Sequence, residues 1–193
     1  MRRDIERVLI ERERIAARVR ELASRLAADL AADLAAEGVS EPEGHIVMVP
    51  IMTGAMVFTS DLIRELPMKL SLELVAVTSY PGRTLESKGA AMEAELPDSF
   101  AGRHVVLIDD ILDSGRTLSL VRGLLASRNP ASVRTLVLLD KPTRRVVEIN
   151  ADYVGFTVPD AFVVGYGLDF DGYYRNLPDI ATLRPEVVTG GDT

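Results

Sequence analysis

Short apolar runs alternate with segments of helical periodicity along most of this sequence, and this alternation restricts the fold more than any other feature. Compact apolar runs are typical of buried strands, and we place them at residues 46–51, 70–78, 105–108 and 133–139. Helical segments follow the first and third runs, at about residues 54–65 and 117–128. Because parallel strands need crossover connections, this order predicts an α/β fold with a mainly parallel central sheet covered by helices. Shorter apolar runs at residues 153–156 and 162–164 predict further strands.

Residues 11–37 predict one long helix. Apolar residues recur there at spacings of three and four positions: Ile15, Val19, Leu22, Leu26, Leu30 and Leu34. Alanine, the strongest intrinsic helix former, fills much of the remainder, and Gly38 supplies a stop signal. Such a stripe can serve a coiled coil or a membrane surface, but facing the core is its commonest use. We therefore expect the stripe to face the core.

The composition is that of one globular domain. The chain has 193 residues, of which 47% are hydrophobic and 26% charged, and a domain averages about 150 residues. We expect a single domain over residues 1–193, with a core at about 38–150, a small hood from 1–12 and 151–185, and a flexible tail at 186–193. Because the chain has no cysteine and two histidines, disulfides and cysteine nucleophiles are excluded and the usual zinc sites are disfavoured.

The charge balance bears on the partners of the protein. With 22 Lys and Arg against 29 Asp and Glu, the net charge is −7, which disfavours a nucleic-acid partner but not a small phosphorylated substrate. The start, Met1-Arg2-Arg3-Asp4, does not read as a signal peptide, and no stretch approaches the roughly 20 apolar residues of a spanning helix. We expect a cytoplasmic protein without a membrane partner. His45 and His104 flank strands, so we expect them at the surface or its boundary, without a functional role.

Residues 80–102 form a long connection between two predicted strands, with little apolar content before Phe100. Loops longer than about 12 to 15 residues are usually functional lids or disordered segments. Because loops that close over sites often have this placement, we predict a mobile lid in preference to plain disorder.

Residues 105–117 carry the densest group of chemically informative side chains. A buried strand runs there into two adjacent carboxylates, Asp109 and Asp110, and a short polar turn then opens a helix. Ligands of open α/β sheets bind beyond the carboxyl ends of the strands, and a helix N-terminus suits a phosphate. The turn offers backbone, hydroxyl and guanidinium donors from Asp113, Ser114, Gly115, Arg116 and Thr117.

A simpler interpretation is that Asp113 or Ser114 merely caps the helix. Capping explains one residue but not the two acids that precede it. Carboxylates beside a phosphate site would repel the ligand unless they bind sugar hydroxyls or a cation. The combination therefore predicts a phosphorylated sugar as ligand.

The stretch 105–117 resembles the signature of the type I phosphoribosyltransferases, which bind phosphoribosyl pyrophosphate. Further stretches are similar to the 6-oxopurine branch, the hypoxanthine (or hypoxanthine-guanine) phosphoribosyltransferases: residues 138–145, 152–156, 162–169 and 174–178. The resemblance runs from Val8 to about Ile180. It implies the type I phosphoribosyltransferase fold with a small hood. It also implies a magnesium-dependent purine-salvage transferase that makes IMP, and GMP as well, from a 6-oxopurine base and phosphoribosyl pyrophosphate.

The resemblance also implies roles for the acidic strand end and the turn. Asp109 and Asp110 would hold the ribose hydroxyls near magnesium, and residues 113–117 would cradle the 5′-phosphate. Asp113 would in addition act as the acid/base group beside the purine N7. Magnesium ligands would come mostly from substrate and water, with Asp169 as the foremost protein contact.

The purine, pyrophosphate and lid residues follow from the same resemblance. Lys141 would bind the purine O6, which fits an ammonium that donates three hydrogen bonds and accepts none. Phe162 would stack on the base, the backbone of Val163 would bind its edge, and Ile111 and Asp169 complete the purine site. The pyrophosphate residues would be Thr53, Gly54 and Arg175, and the lid would start at Ser79 and Tyr80.

Thr53 departs from the family pattern, which usually has Lys or Arg at this position. The family also tends to have a cis peptide in this loop, residues 50–54, before the residue that matches Gly54. The missing cation predicts weaker pyrophosphate binding, or compensation by Arg83, Lys88 or Arg175.

Two other functions remain open from the sequence. A xanthine-preferring enzyme would keep the fold and differ around residues 162–169. A non-catalytic phosphoribosyl-binding regulator would keep the sugar pocket, but it would need a nucleic-acid surface, which the charge of −7 disfavours, and would not need Lys141 and Phe162. Relatives form dimers or tetramers, so the resemblance implies a homodimer or homotetramer.

Overall fold

A computed structural model describes residues 1–76, 78, 79, 92, 93 and 100–189. The helices in this part of the chain are α1 (Arg12–Ala36), α2 (Met56–Arg64), α3 (Arg116–Ala126) and α4 (Pro185–Val188). The strands are β1 (Ile5–Ile10), β2 (Ile46–Met52), β3 (Ser71–Leu72), β4 (Val75–Ala76), β5 (Thr78–Ser79), β6 (Met92–Glu93), β7 (His104–Leu112), β8 (Ser132–Asp140), β9 (Tyr153–Thr157), β10 (Val163–Val164) and β11 (Ile180–Leu183). Short 3₁₀ turns lie at Arg2–Asp4 and Pro142–Arg144.

The central sheet is parallel, as the alternating sequence pattern predicts. Its strand order is β3-β2-β7-β8-β9, and β4 extends the β3 edge by pairing with the end of β2. Every pairing in this sheet is parallel, so the carboxyl ends of β2, β7 and β8 lie along one edge. This is the edge at which parallel α/β sheets bind ligands.

Helices cover both faces of the sheet because successive side chains of a strand point to opposite faces. On one face, Met48 and Ile108 pack in a core cluster with the buried residues of α1 and α2. On the other face, Val49 and Leu107 pack with buried residues of α3. The predicted apolar stripe of α1 faces the core, and all six of its residues are buried: Ile15, Val19, Leu22, Leu26, Leu30 and Leu34.

A small antiparallel sheet joins the two ends of the described chain. Its order is β1-β11-β10, and its strands come from residues 5–10, 163–164 and 180–183. The backbone N–H of Arg12 also donates to the Asp179 carboxylate at 2.9 Å, which ties the start of α1 to this sheet. The segment between β10 and β11 carries Asp169 and Arg175, so the small sheet sets where these two residues lie.

Two predicted strands differ from the observed ones. The predicted strand at 70–78 is divided among three short strands: β3 and β4 both pair with β2, whereas β5 pairs with β6. The predicted strand at 105–108 is longer, and Asp109 and Asp110 lie within β7 rather than beyond it. The neighbouring β8 causes this extension, since it continues to pair with β7 as far as Leu112 opposite Asp140.

The expectation for His104 is wrong. Its side chain is 1% exposed, and its ring contacts the Ser132 hydroxyl at 2.9 Å and the Glu37 carboxylate at 3.3 Å. Because β7 is covered by α1 at its start, the polar ring lies beneath the helix and is satisfied there. His45 is half-buried at the preceding strand, in keeping with a boundary position.

The chain end differs in part from the expected tail. Residues 185–188 form the short helix α4, and residues 190–193 lie outside the described part of the chain. Among the described residues, no helix has both the length and the apolar character that crossing a membrane requires.

Candidate active site

A cavity of about 290 Å³ opens at the carboxyl edge of the central sheet. It is lined by the end of β2 with Gly54, by the end of β7, by the turn 113–117 and by Asp169 with Arg175. The structure therefore brings together the predicted ribose, phosphate and pyrophosphate residues, apart from Thr53 and Arg116, which do not line the cavity. A ligand in this cavity would contact elements that are far apart in the sequence.

The turn 113–117 leads directly into α3. Gly115 occupies the N-cap position with φ of +83°, a left-handed conformation that side chains rarely adopt. A Cβ at this position would also lie 2.9 Å from the Val147 carbonyl oxygen, so glycine is required for two reasons. Because the first amides of α3 lack intrahelical acceptors, this end of the helix presents N–H donors to the cavity.

The capping interpretation of Asp113 and Ser114 is wrong. The N-cap residue is Gly115, and α3 has no capping hydrogen bond from a side chain. Ser114 Oγ accepts from the backbone N–H of Arg116, the first residue of α3, at 3.4 Å, but Ser114 precedes the N-cap residue and is not the cap. The Asp113 carboxylate instead faces a neighbouring cavity, beside Arg144.

Asp109 and Asp110 form a closely spaced acidic pair that lines the cavity. The backbone N–H of Asp110 donates to Asp109 Oδ1 at 3.0 Å. Burial raises the pKa of Asp109 well above its usual range, and the adjacent Asp110 charge adds to the effect. Burial also raises the pKa of Asp110, although its hydrogen bonding with Asp109 and the charge of Arg175 act in the opposite direction. Hydroxyl donors or a cation would stabilise such a pair.

Gly54 allows the acidic pair to approach the end of β2. A Cβ on Gly54 would lie 2.0 Å from Asp110 Oδ2, closer than any atoms can pack. The peptide bond between Met52 and Thr53 is cis, so a cis peptide precedes Gly54 in this loop, as the family resemblance implies. Thr53 itself is exposed.

Arg175 brings a guanidinium to the same cavity. Its Nη2 lies 2.7 Å from Asp169 Oδ1, and its Nη1 donates to the Gly167 carbonyl at 2.6 Å. The other oxygen of Asp169 accepts from the backbone N–H of Gly172 at 2.8 Å. Arg175 is thus held in place beside the acidic pair, where its charge can reach an anionic ligand.

A second cavity of about 290 Å³ adjoins the first and contains the predicted purine residues. Lys141 lies on one side and is 6% exposed, and its ammonium makes no hydrogen bond with the described residues. Burial lowers the pKa of Lys141, while the negative charges of Asp113 and Asp160 act to raise it. An ammonium in the cavity wall that makes no hydrogen bond with the described residues suits a ligand oxygen.

Phe162 and Val163 lie in the wall of the second cavity together with Ile111 and Asp169. Phe162 is 46% exposed and packs edge-to-face on Phe170, with ring centroids 5.3 Å apart. Because Phe162 is held by Phe170 but stays about half exposed, its ring is available for stacking.

Sequence reasoning missed two arginines and one acid at this site. Arg144 Nε lies 3.4 Å from Asp113 Oδ1, and its Nη1 lies 3.3 Å from Asp160 Oδ1. Arg145 contacts the backbone of the turn that begins at Asp113. The sequence does show two adjacent arginines three and four positions after Lys141. It does not show which groups these arginines face.

Of the three residues predicted to compensate for Thr53, Arg175 alone belongs to the described part of the chain, where it lines the first cavity. Tyr80, Arg83 and Lys88 lie outside the described residues, as do most of the residues from 80 to 102. Of Ser79, the structure describes only the backbone, in β5.

The acidic side chains fit a hard cation only in combination with a ligand. Among the described residues, no cluster of three or more His, Cys, Asp or Glu side chains is arranged to hold a metal by itself. Asp109, Asp110 and Asp169 nevertheless supply carboxylate oxygens to one cavity, and such oxygens suit magnesium. Because burial disfavours the ionised forms of Asp109 and Asp110, a cation beside them would stabilise those forms.

Comparison with known proteins shows the family of this chain. The family described as phosphoribosyl transferase domain matches residues 18–171. The hypoxanthine-guanine phosphoribosyltransferase of Bacillus subtilis is 40% identical over 188 residues, which cover 97% of this chain and 98% of that protein. Bifunctional TilS/HprT proteins of Listeria monocytogenes are 42% identical over 97% of this chain, but the chain spans only 27% of their length.

Solved structures give the same result. A hypoxanthine phosphoribosyltransferase from Staphylococcus aureus has a TM-score of 0.83 at 40% identity, with 97% of this chain and 96% of that chain covered. The hypoxanthine phosphoribosyltransferase from Trypanosoma cruzi, in complex with the product IMP, has a TM-score of 0.81 at 35% identity, with 97% and 95% of the two chains covered. The chain therefore belongs to the phosphoribosyltransferase family, and within it to the hypoxanthine-guanine phosphoribosyltransferases.

Proposed function

We propose that this protein transfers the 5-phosphoribosyl group from phosphoribosyl pyrophosphate to hypoxanthine, and also to guanine, giving IMP or GMP and pyrophosphate. One observation carries the proposal above all others. Four residues line both cavities, namely Asp110, Ile111, Asp113 and Asp169. A sugar phosphate in the first cavity and a base in the second would therefore meet across shared walls, as a glycosyl transfer requires.

The acidic pair supports the sugar half of the reaction. As the pyrophosphate leaves, the ribose ring gains cationic, oxocarbenium-like character, and preorganised carboxylates stabilise that charge. Asp109 and Asp110 lie at the floor of the cavity, beside the turn 113–117 that would hold the 5′-phosphate. The same carboxylates can accept hydrogen bonds from the ribose hydroxyls in the ground state.

Asp113 and Lys141 support the base half. Both line the second cavity, where Asp113 would accept the proton from the purine N7 as the new bond forms. The Lys141 ammonium would donate to the O6 of a 6-oxopurine, whereas the amino group of adenine would bring two donors together.

Magnesium is the cofactor that the site would use. Asp169, with Asp109 and Asp110, would hold it near the substrate, and the bound ion would offset negative charge on the pyrophosphate. Arg175, which is fixed by Asp169 and the Gly167 carbonyl, would contribute a guanidinium to the same end of the cavity.

Initial rates with a panel of bases test this function directly. Hypoxanthine, guanine, xanthine and adenine would each be supplied with phosphoribosyl pyrophosphate and magnesium. We expect turnover with hypoxanthine and guanine, and none above background with adenine. Preference for xanthine would replace the proposal by the xanthine-specific alternative. Binding of the sugar substrate without turnover of any base, together with a gel shift on DNA or RNA, would support a regulator.

Installing the missing cation tests the role of the segment after β2. In Thr53→Lys we expect the KM for phosphoribosyl pyrophosphate to fall by about 3- to 10-fold, because an ammonium would gain a charge-assisted contact with the pyrophosphate. Met56→Lys, on the exposed start of α2, adds the same charge nearby and serves as control. An unchanged KM in Thr53→Lys, or an equal fall in Met56→Lys, would contradict this role.

A further inference from the structure

Three consecutive backbone carbonyls where β7 leads into the turn 113–117, those of residues 112–114, are engaged from one side. The carbonyl of Leu112 accepts from the backbone N–H of Lys141 at 3.0 Å and from Arg145 Nη1 at 2.9 Å. The same Nη1 donates to the Asp113 carbonyl at 2.5 Å. The Ser114 carbonyl accepts from the backbone N–H groups of residues 146 and 147, at 2.9 and 3.0 Å. One segment, residues 141–147, thus satisfies three consecutive carbonyls.

This engagement fixes the direction of the amides in the turn. In a trans peptide the C=O and N–H bonds point to opposite sides, so a carbonyl directed at residues 141–147 directs the next N–H away from them. The amides that follow these carbonyls belong to Asp113, Ser114 and Gly115, and all three residues line the first cavity. Successive N–H groups that converge in this way form an anion-binding concavity.

Arg145 is the side chain that anchors this arrangement. It is only 16% exposed, and its Nη2 pairs with the carboxylate of Asp140, the last residue of β8. One guanidinium therefore links a strand end to the carbonyls of the turn. An ammonium has no planar fork and cannot reproduce both sets of bonds with the same geometry.

We propose that Arg145 is a positioning residue that orients the turn amides for the 5′-phosphate. The proposal rests on the function above, because it assumes that a ribose 5′-phosphate occupies the turn. Lys141, the proposed ligand of the purine O6, begins the same segment. Arg145 therefore also connects the purine site to the phosphate site through a short stretch of hydrogen-bonded backbone. Arg145 itself does not line either cavity, so its effect on the ligand is transmitted through the turn.

Binding of IMP and of inosine separates this role from general stability. The two ligands differ only in the 5′-phosphate, so the ratio of their dissociation constants measures the contribution of the phosphate. In Arg145→Met we expect IMP affinity, measured by calorimetry, to fall by about 5- to 50-fold because the turn donors lose their alignment. Inosine affinity, measured by competition with hypoxanthine, is expected to change less than about twofold. The IMP affinity of Arg145→Lys should lie between those of the wild type and Arg145→Met.

Arg134→Met is the matched control. Arg134 lies in β8, is 21% exposed and pairs with Asp33, far from the turn. Its loss should lower the thermal midpoint without altering the ratio of IMP to inosine affinity.

The outcomes distinguish the proposal from its premise. The positioning role would be overturned if Arg145→Met weakened the binding of IMP and of inosine equally. It would also be overturned if the ratio of their dissociation constants were unchanged in a folded variant. If Arg145→Met does not fold, the same ratio in Arg145→Lys decides the matter. Failure of the wild type to bind IMP more tightly than inosine would instead refute the proposed phosphate site.

Discussion

Replacing Asp113 by Asn is expected to lower the kcat of IMP synthesis by about 10²- to 10⁴-fold, the usual contribution of a general acid or base. The amide has nearly the same shape but cannot accept the N7 proton. The turn should survive the change, because Arg145 is bonded to the backbone carbonyl of Asp113 and not to its side chain. The loss should therefore appear in kcat, with the KM for phosphoribosyl pyrophosphate changed much less.

Asp160→Asn is the matched control for Asp113→Asn. Asp160 lines the same cavity and pairs with the same arginine, Arg144, so its loss removes an equal charge near Lys141. We expect less than about a fivefold change in kcat there. A loss below about tenfold in Asp113→Asn, or a comparable loss in Asp160→Asn, would show that Asp113 is not the acid/base group.

Replacing Lys141 by Met is expected to lower the kcat/KM for hypoxanthine by about 10- to 150-fold, which corresponds to one hydrogen bond to a charged donor. The preference for hypoxanthine over adenine should shrink at the same time, because the donor that opposes the adenine amino group is gone. The side chain of methionine has similar length and suits the buried position, so the fold should tolerate the change.

Lys69→Met controls for loss of a lysine in general. Lys69 is exposed, and its ammonium pairs with Glu43 at 2.7 Å, away from both cavities. The kcat/KM values of Lys69→Met for hypoxanthine and adenine should match the wild type. Unchanged hypoxanthine kinetics in Lys141→Met, together with continued exclusion of adenine, would mean that Lys141 does not read O6.

Much of the fold could be predicted because its signals are local. The spacing of Ile15, Val19 and Leu22 defines a helix face without reference to the rest of the chain, and α1 buries that face. The apolar runs at 46–51 and 133–139 likewise predicted β2 and β8 from their own hydrophobicity. Strand ends were less predictable, since β7 continues through its carboxylates only because β8 lies beside it.

The candidate site could be predicted only in part. The resemblance indicated Asp113 and Lys141, and the structure places both in one cavity. The sequence shows Asp109 and Asp110 as adjacent acidic residues. The raised pKa of Asp109, however, depends on burial by neighbouring elements. The burial of His104 beneath α1 could not be foreseen either, because the residue that covers it comes from a distant segment.

The sequence by itself determined the alternation of strands and helices, the acidic strand end and the glycine that opens α3, because each depends on short-range periodicity or backbone freedom. Only the tertiary structure decided that Arg145 faces the carbonyls of the turn while Arg144 faces Asp113. The two arginines are chemically identical neighbours, and what separates their roles is the direction in which the folded backbone presents them. Such directions depend on contacts between segments about 30 residues apart, which no local pattern records.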